Sequence, residues 1–139
     1  MSEAAALIAR HRLAPHPEGG HYRETVRLPA PAGERSPMTA ILFLLDVGER
    51  SHWHRVDAAE LWLWHAGTPL LLHVEGEGAI TTHRLGPDAP QVLVRAHGWQ
   101  AAEAAAGWAL VSCVVTPGFD FAGFELAPPG WAPSGVDRQ

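Results

Sequence analysis

The residue types best suited to chemistry stand close together near the middle of the chain, as His52, His54 and Glu60. On a β-strand successive side chains alternate between the two faces, so the two histidines are expected to share one face. Glu60 opens the next apolar run, and a neighbouring strand would bring its carboxyl group beside the imidazoles. Two imidazoles and a carboxylate can bind a divalent metal ion, or they can transfer protons without a metal.

Tryptophans follow these groups along the chain. Alternation puts Trp62 and Trp64 on the same face of their strand as Glu60. An aromatic wall with few polar groups is typical of a small-molecule pocket. A carboxyl group buried there without a partner would cost free energy, which favours a functional site over a passive core. The sequence therefore predicts one pocket, and its expected lining residues are His52, His54, Glu60, Trp62, Trp64, Trp99 and Gln100.

Short apolar runs separated by glycines and prolines make up most of the chain. They recur about every 8–12 residues, a spacing typical of an all-β sandwich or barrel. Ser2 is expected to cap a short helix over residues 3–12. Residues 101–106 have a composition that suits either a helix or a turn. Predicted strands include the one that carries the histidine pair and residues 21–27, 39–46, 61–65, 70–74, 80–85, 91–94, 108–116 and 119–126.

Composition limits the class of protein. The 139 residues are 47% hydrophobic and 18% charged, which predicts one globular domain over residues 1–139, with a core of about 13–126 and a Pro/Gly-rich tail over 128–139. The net charge of −5 and the absence of lysine argue against nucleic acid or an anionic membrane as a partner. There is no secretory signal pattern and no run near the roughly 20 apolar residues of a membrane span, so a cytoplasmic location is expected. Cys113 is expected to be a buried, inert thiol.

The region around the two histidines resembles the first sequence motif of the cupin superfamily. Gly48 precedes His-x-His, Glu60 follows it, and Gly67 closes the motif after six further residues, although the spacings on either side of His-x-His differ from the usual ones. The second cupin motif has its counterpart in residues 95–100. Gln100 stands there at the position of the last metal-binding histidine, and glutamine is a weaker ligand than imidazole for zinc, iron or nickel.

Two further strings resemble one particular cupin subfamily, a domain of unknown function known as the fifth cupin family. They are PHPEGG at residues 15–20 and PGFDF at residues 117–121, and the likeness extends from about residue 13 to about residue 126. The resemblance implies a double-stranded β-helix, also called a jelly-roll barrel, and a homodimer. It also implies structural kinship with sugar-nucleotide epimerases, which work without a metal. Fold by itself does not fix activity.

The residues and the resemblance together predict an enzyme of isomerase or epimerase type that acts on a sugar-like or other polar metabolite. His54 is the expected general base, Glu60 the carboxylate that orients it, and Tyr22 the expected acid. Arg23 is a ligand-binding residue in this hypothesis, because an inward-facing arginine suits a carboxylate or phosphate on the ligand. Glu18 is expected at the rim of the pocket.

Two alternatives stay open at the level of sequence. In one, the same pocket holds a small ligand without catalysis, as a binding or sensing module. In the other, His52, His54 and Glu60 bind zinc, nickel, manganese or iron and leave open positions for substrate or oxygen. A serine hydrolase and a phosphate-binding glycine loop are not supported, because neither a glycine-flanked serine elbow nor such a loop is present.

Overall fold

The computed structural model describes residues 1–134 and consists mainly of antiparallel β-strands. The elements are helix α1 Glu3–His11 and strands β1 Ala14–Pro15, β2 His21–Arg27, β3 Thr39–Leu45, β4 Arg50–Val56, β5 Ala59–Gly67, β6 Leu70–Gly76, β7 Ala79–Leu85, β8 Gln91–Val94, β9 Gln100–Glu103, β10 Ala109–Thr116 and β11 Phe124–Leu126, with a 3-10 helix at Phe121–Gly123. The predicted all-β fold class with a short N-terminal helix is confirmed. Within the described residues no helix is long and apolar enough to cross a membrane.

The strands form two sheets. One has the order β1-β2-β3-β10-β5-β8 and the other the order β11-β4-β9-β6-β7, and all the ladders are antiparallel. Consecutive strands β3, β4, β5 and β6 alternate between the two sheets, which is the winding of a jelly roll. β4 and β5 therefore belong to opposite sheets, and their inward side chains approach one another across the barrel instead of lying on neighbouring strands.

The apolar core fills only one end of the barrel. On β3, Phe43 and Leu45 belong to the main buried cluster, whereas Thr39 and Ile41, earlier on the same strand, line a cavity. Along β5 and β10, too, the inward side chains change from core residues at one end to cavity-lining residues at the other. Burial of a large apolar side chain contributes about 1.5–3 kcal/mol, so the filled end stabilises the fold and the other end is free to hold polar groups. The core side chains from both sheets include Phe43, Leu45, Trp62, Leu70, Leu72, Leu85, Val94 and Val111.

Each sheet has, at one edge, a very short strand that borders the cavity through Ala14 or Phe124. β1 contributes two residues to the edge of the six-stranded sheet, and β11 contributes three to the edge of the other. Both edges therefore have few backbone hydrogen bonds compared with the eight paired positions between β10 and β5 in the middle of the larger sheet.

Helix α1 forms where the sequence predicts it. The Ser2 hydroxyl accepts a hydrogen bond from the backbone N–H of Ala5, and Arg12 ends the helix in the left-handed conformation. The apolar side of the helix packs on the outer face of the six-stranded sheet, against Leu44 and Leu110. This contact fixes the position of the segment that leads into β1.

Two local predictions are wrong. Residues 101–106 were expected to form a helix or a turn, but Gln100–Glu103 form strand β9 between β4 and β6, because pairing on both sides outweighs the weak strand preference of alanine. Residues 119–126 were expected to form one strand. That strand is interrupted because the Asp120 side chain caps the 3-10 helix that precedes β11.

The first part of the predicted surface tail is packed against the barrel. The ring of Trp131 lies 4.5 Å from that of Trp99, centroid to centroid, and Ala132 is buried. Residues 128–134 contain no helix or strand, as expected. The rest of the predicted tail, residues 135–139, lies outside the described residues.

Candidate functional site

A cavity of about 630 Å³ lies between the sheets at the end of the barrel that the apolar core leaves free. Its volume is within the usual range for small-molecule sites, about 300–1,000 Å³. Apolar walls alternate with ionisable groups, which suits a ligand that has both carbon surface and polar substituents. The polar and charged lining consists of Arg12, His16, Glu18, Tyr22, Arg23, Glu24, Arg27, Thr39, His54, Glu60 and Asp120.

A bulge in β4 separates the two histidines of the His-x-His motif. The pairing of β4 with β9 shifts register between Ser51 and His54. Both of these side chains contact Glu18, whereas Nε2 of His52 lies 2.9 Å from the carbonyl oxygen of Pro128, away from the cavity. The prediction that His52 and His54 share a face is therefore wrong, because a bulge interrupts strict alternation.

Glu18 is held in the cavity by the turn that follows it. Gly19 has φ +114°, and a Cβ atom there would overlap the backbone carbonyl oxygen of Arg50, so only glycine fits. The backbone N–H of His52 donates to the carbonyl oxygen of Glu18 at 2.7 Å. The PHPEGG string thus docks on β4 through its backbone and directs the Glu18 side chain inward.

Glu18 and His54 share a hydrogen bond and one proton. His54 Nε2 lies 3.1 Å from Glu18 Oε2, and His54 Nδ1 lies 2.7 Å from the carbonyl oxygen of His52. Because a carbonyl oxygen only accepts, Nδ1 carries a proton and Nε2 of the neutral ring is an acceptor. Burial lowers the pKa of His54 and raises the pKa of Glu18 to about 8. Both directions favour the uncharged pair, in which the protonated Glu18 donates to His54.

His16 forms a second, neutral imidazole beside this pair. The backbone N–H of Glu18 donates to His16 Nδ1 at 3.1 Å, which leaves the ring proton on Nε2. Burial, with a smaller contribution from His54, lowers the pKa of His16 to about 4. Nδ1 also lies 3.2 Å from Glu18 Oε1, and this contact between two acceptors is less repulsive when the carboxyl group is protonated on Oε2 and uncharged. The ring packs edge-on against Tyr22 and Phe43.

Glu60 enters the cavity from β5, in the sheet opposite to His54. The side-chain amide of Gln100 donates to Glu60 Oε1 at 2.9 Å, and Trp62 Nε1 donates to Gln100 Oε1 at 2.7 Å. Burial raises the pKa of Glu60, while the neighbouring His54 acts in the opposite direction. Cys113 is buried beside this carboxyl group, and burial raises the pKa of its thiol, which confirms the expectation of a buried thiol. Gln100 is a buried support for Glu60, not a wall of the cavity.

Removal of that support is expected to be costly. In Gln100→Leu, the Trp62 indole N–H loses its acceptor and the Glu60 carboxyl group loses its donor in a buried site, so we expect the free energy of unfolding to fall by about 2–4 kcal/mol. Urea denaturation at neutral pH measures the change. Gln91→Leu, on the exposed side of β8, is the matched control and should shift the value by less than about 0.5 kcal/mol. Equal effects of the two substitutions would contradict the supporting role of Gln100.

β2 brings the remaining predicted residues to the cavity. Tyr22 and Arg23 both line it, and the Tyr22 hydroxyl makes no hydrogen bond within residues 1–134. Arg23 Nε is buried and also has no hydrogen-bond partner in that part of the chain. Of the ten residues predicted for the site, five line the cavity: Glu18, Tyr22, Arg23, His54 and Glu60.

The two inward tryptophans of β5 lie deeper in the barrel than the cavity. Trp62 is 1% exposed and belongs to the apolar core, and Trp64 donates its Nε1 hydrogen to the carbonyl oxygen of Thr68 at 3.1 Å. Alternation correctly predicts that the two tryptophans lie on the inward face of β5. The prediction that they line the pocket is wrong. Alternation predicts the face of a strand on which a side chain lies, but it does not predict how far along the barrel axis the side chain lies.

The third predicted tryptophan lies outside the barrel. The ring of Trp99 packs against that of Trp131 at an interplanar angle of 46°, and the Arg55 guanidinium lies 4.5 Å from the centre of the Trp99 ring. Its prediction as a pocket residue is also wrong. Phe119 and Phe124 supply aromatic walls in its place, and they come from the segment around the 3-10 helix.

Sequence reasoning underestimated His16 and Ser51. The signal for His16 was the His-x-Glu spacing inside PHPEGG, because two polar side chains before a double glycine are placed together by the turn. Ser51 had no signal of its own. Its inward direction follows from the bulge in β4, which the sequence alone does not reveal.

The three residues considered as metal ligands do not converge. His52 is directed to Pro128, both ring nitrogens of His54 have hydrogen-bond partners, and Glu60 is bonded to an amide. Across residues 1–134, no group of three or more His, Cys, Asp and Glu side chains is arranged to hold a metal ion. The donor arrangement does not fit a zinc, nickel, manganese or iron site built from His52, His54 and Glu60.

Comparison with known proteins agrees with this architecture. The family described as Cupin superfamily (DUF985) matches residues 5–127. The chain belongs to this cupin family. The resemblance stated from the sequence is thereby confirmed. A crystal structure of a Shewanella oneidensis protein is 39% identical to this cupin, with a TM-score of 0.85, and the match covers 91% of this chain and 85% of the other.

Other solved structures extend the comparison. A hypothetical protein from Leishmania major is 33% identical to this cupin over 89% of the chain and 86% of its own length, with a TM-score of 0.80. KdgF from Halomonas sp. is 17% identical over 82% of this chain and 94% of its own length, with a TM-score of 0.62, and that likeness shows the fold alone. No curated protein matches this cupin.

Proposed function

We propose that this cupin is an enzyme of isomerase or epimerase type, which moves a proton on a sugar-like or other polar metabolite bound in the cavity. The observation that carries the proposal is the Glu18–His54 pair. Two ionisable groups that would each be costly to bury when charged are joined by a 3.1 Å contact and share one proton. Perturbed pKa values in a cavity are characteristic of acid–base catalysts.

The reaction needs a proton to leave a carbon next to a carbonyl group and another to return. When the shared proton lies on His54, the Glu18 carboxylate is free to accept the carbon-bound proton, and the electron pair of the C–H bond moves to the carbonyl oxygen. The neutral His16 ring carries its proton on Nε2, which has no partner within the described residues, and it can donate to that oxygen. In isomerisation Glu18 then returns the proton to the former carbonyl carbon, and His16 recovers a proton from the neighbouring hydroxyl group, which becomes the new carbonyl group.

Epimerisation needs an acid on the other side of the carbon. Tyr22 lines the cavity, its hydroxyl makes no hydrogen bond within residues 1–134, and it is the acid in this proposal, as the sequence predicts. Glu18, and not Glu60, lies within hydrogen-bonding distance of the His54 ring, with 3.1 Å between Glu18 Oε2 and His54 Nε2. In this proposal Glu18 takes the base role expected for His54, and His54 holds and orients Glu18 through the shared proton. Glu60 acts from the opposite sheet, where its carboxyl group, when ionised, partly offsets the lowering of the His54 pKa by burial.

Solvent deuterium exchange tests the proposal. The protein is incubated in deuterium oxide with sugar phosphates, nucleotide sugars and uronic acids, and mass spectrometry detects any compound that gains deuterium at carbon. We expect one compound class to exchange with the native chain and not with Glu18→Gln/His54→Gln. His83→Gln, on β7 at the far edge of the other sheet, is the matched control and should exchange normally. Ligands that raise the unfolding temperature without any exchange would instead identify a binding module.

A homodimer and a cytoplasmic location remain part of the proposal. The resemblance to cupins implies the first, and composition favours the second. Light scattering on the purified protein measures the mass directly, and a monomer at micromolar concentration would contradict the homodimer.

A further inference from the structure

Two arginines at the cavity have no acidic partner among residues 1–134. Arg12 ends helix α1, Arg23 lies on β2, and both line the cavity together with Ala14 of β1. Neither side chain forms an ion pair or a hydrogen bond within residues 1–134, and Arg23 Nε is buried. A buried guanidinium nitrogen without an acceptor is unfavourable, so an acceptor from outside the chain would stabilise it.

The other charged groups of the cavity do not neutralise these two arginines. Arg27 is bound to Glu24 through two hydrogen bonds of 2.7 and 2.8 Å. Asp120 lies close enough to Arg27 to raise its pKa. Burial raises the pKa values of Glu18 and Glu60, so the interior of the cavity carries little negative charge. Two positive charges therefore remain without compensation on the β1–β2 side.

We propose that Arg12 and Arg23 form an oxyanion subsite, which binds a carboxylate or phosphate group of the metabolite. The guanidinium group presents a planar set of donors that matches the oxygens of either anion. This inference rests on the proposed function, because it takes the bound anion to be part of the substrate. It implies that the substrate is an acidic sugar derivative. The anion is held by the arginines while the carbonyl group of the same molecule reaches Glu18.

Binding of simple anions tests the subsite without any need for turnover. Inorganic phosphate, pyrophosphate and glucuronate are titrated at constant ionic strength, with sodium chloride and neutral glucose as comparison solutes, and the unfolding temperature and tryptophan fluorescence are followed. We expect saturable binding of the oxyanions, and a dissociation constant for glucuronate about tenfold or more below that for glucose. The phosphate and glucuronate titrations show which of the two anions the subsite prefers.

Substitutions test whether the oxyanions bind at Arg12 and Arg23. Arg12→Gln/Arg23→Gln should weaken oxyanion binding by about tenfold or more, whereas Arg84→Gln, an exposed charge on β7, should leave it unchanged. The two single variants are measured as well, so that a folding defect of the double variant does not decide the result. Absence of saturable oxyanion binding, or equal binding by the native and Arg12→Gln/Arg23→Gln chains, would overturn the subsite.

The outcome is separable from that of the proposed function. Glu18→Gln/His54→Gln keeps both arginines, so it should bind inorganic phosphate, which has no carbonyl group to reach Glu18, as the native chain does. Oxyanion binding without deuterium exchange in the native chain would leave the subsite intact and refute the isomerase. Exchange that is equally fast in Arg12→Gln/Arg23→Gln at low substrate concentration would support the enzyme and refute the subsite.

Discussion

His54→Gln is expected to lower the rate of deuterium exchange into the substrate by about 10²–10⁴-fold and to leave the barrel folded. The glutamine side chain can donate to the carbonyl oxygen of His52 and accept from Glu18, but it cannot take up a proton near neutral pH. Glu18 then has no group with which to exchange its proton, although both partners of His54 keep a hydrogen bond. Initial rates at saturating substrate measure the loss, and circular dichroism with urea unfolding verifies the fold.

His83→Gln provides the matched control, because it makes the same chemical change at a histidine of β7, away from the cavity. Its rate should equal that of the native chain. A His54→Gln chain that exchanges at the native rate would show that the imidazole is structural. A chain that no longer unfolds cooperatively would lead to the same conclusion, because the ring would then be needed for the fold itself.

Glu18→Gln is expected to make the protein more stable than the native chain at alkaline pH. Burial raises the pKa of Glu18 in the folded state to about 8, from an ordinary value of 4.5. Between these values the folded chain holds one proton more than the unfolded chain, so the free energy of unfolding falls as pH rises. The contribution is complete below about pH 4.5 and is lost by about pH 8. Glutamine resembles the protonated acid and does not titrate.

The expected advantage of the variant grows through this pH range to the order of a few kcal/mol. Urea unfolding of both chains at about pH 5, 7 and 9 measures it. His16 acts in the opposite direction, because its pKa is lowered to about 4 and its contribution is lost as pH falls from 6.5. His16 is present in both chains, so its contribution largely cancels in the difference between their free energies of unfolding. Glu77→Gln, in the exposed β6–β7 turn, is the control and should show no such trend. If the difference in the free energy of unfolding between Glu18→Gln and the native chain does not vary with pH, a buried, protonated Glu18 is refuted.

The sequence contained enough information for the fold. Apolar runs of strand length between glycines and prolines predict strands because each run needs a turn at both ends, and Ser2 predicts the start of α1 because its side chain has few other roles at that position. The strand at Gln100–Glu103 was missed because alanine has no strong local preference there. Its conformation is determined by β4 and β6, which are distant in sequence.

The site was predictable only in part. His54 and Glu60 were correctly expected to lie near one another, but alternation misplaced His52 because a bulge changes the count of residues on one strand. Trp62 was assigned to the right face and the wrong depth. The contact between Glu18 and His54 joins residues 36 positions apart through the winding of the barrel, and no local pattern contains that information.

The short edge strands that border the cavity have a consequence for ligand exchange. β1 and β11 together contribute five paired residues, so local opening of the cavity beside either strand requires the loss of only a few backbone hydrogen bonds. The long ladders among β3, β10 and β5 and the apolar core at the opposite end are untouched by such a motion. Local opening and global unfolding therefore have separate free energies. Opening beside these strands for ligand exchange is therefore expected to cost much less free energy than unfolding of the barrel.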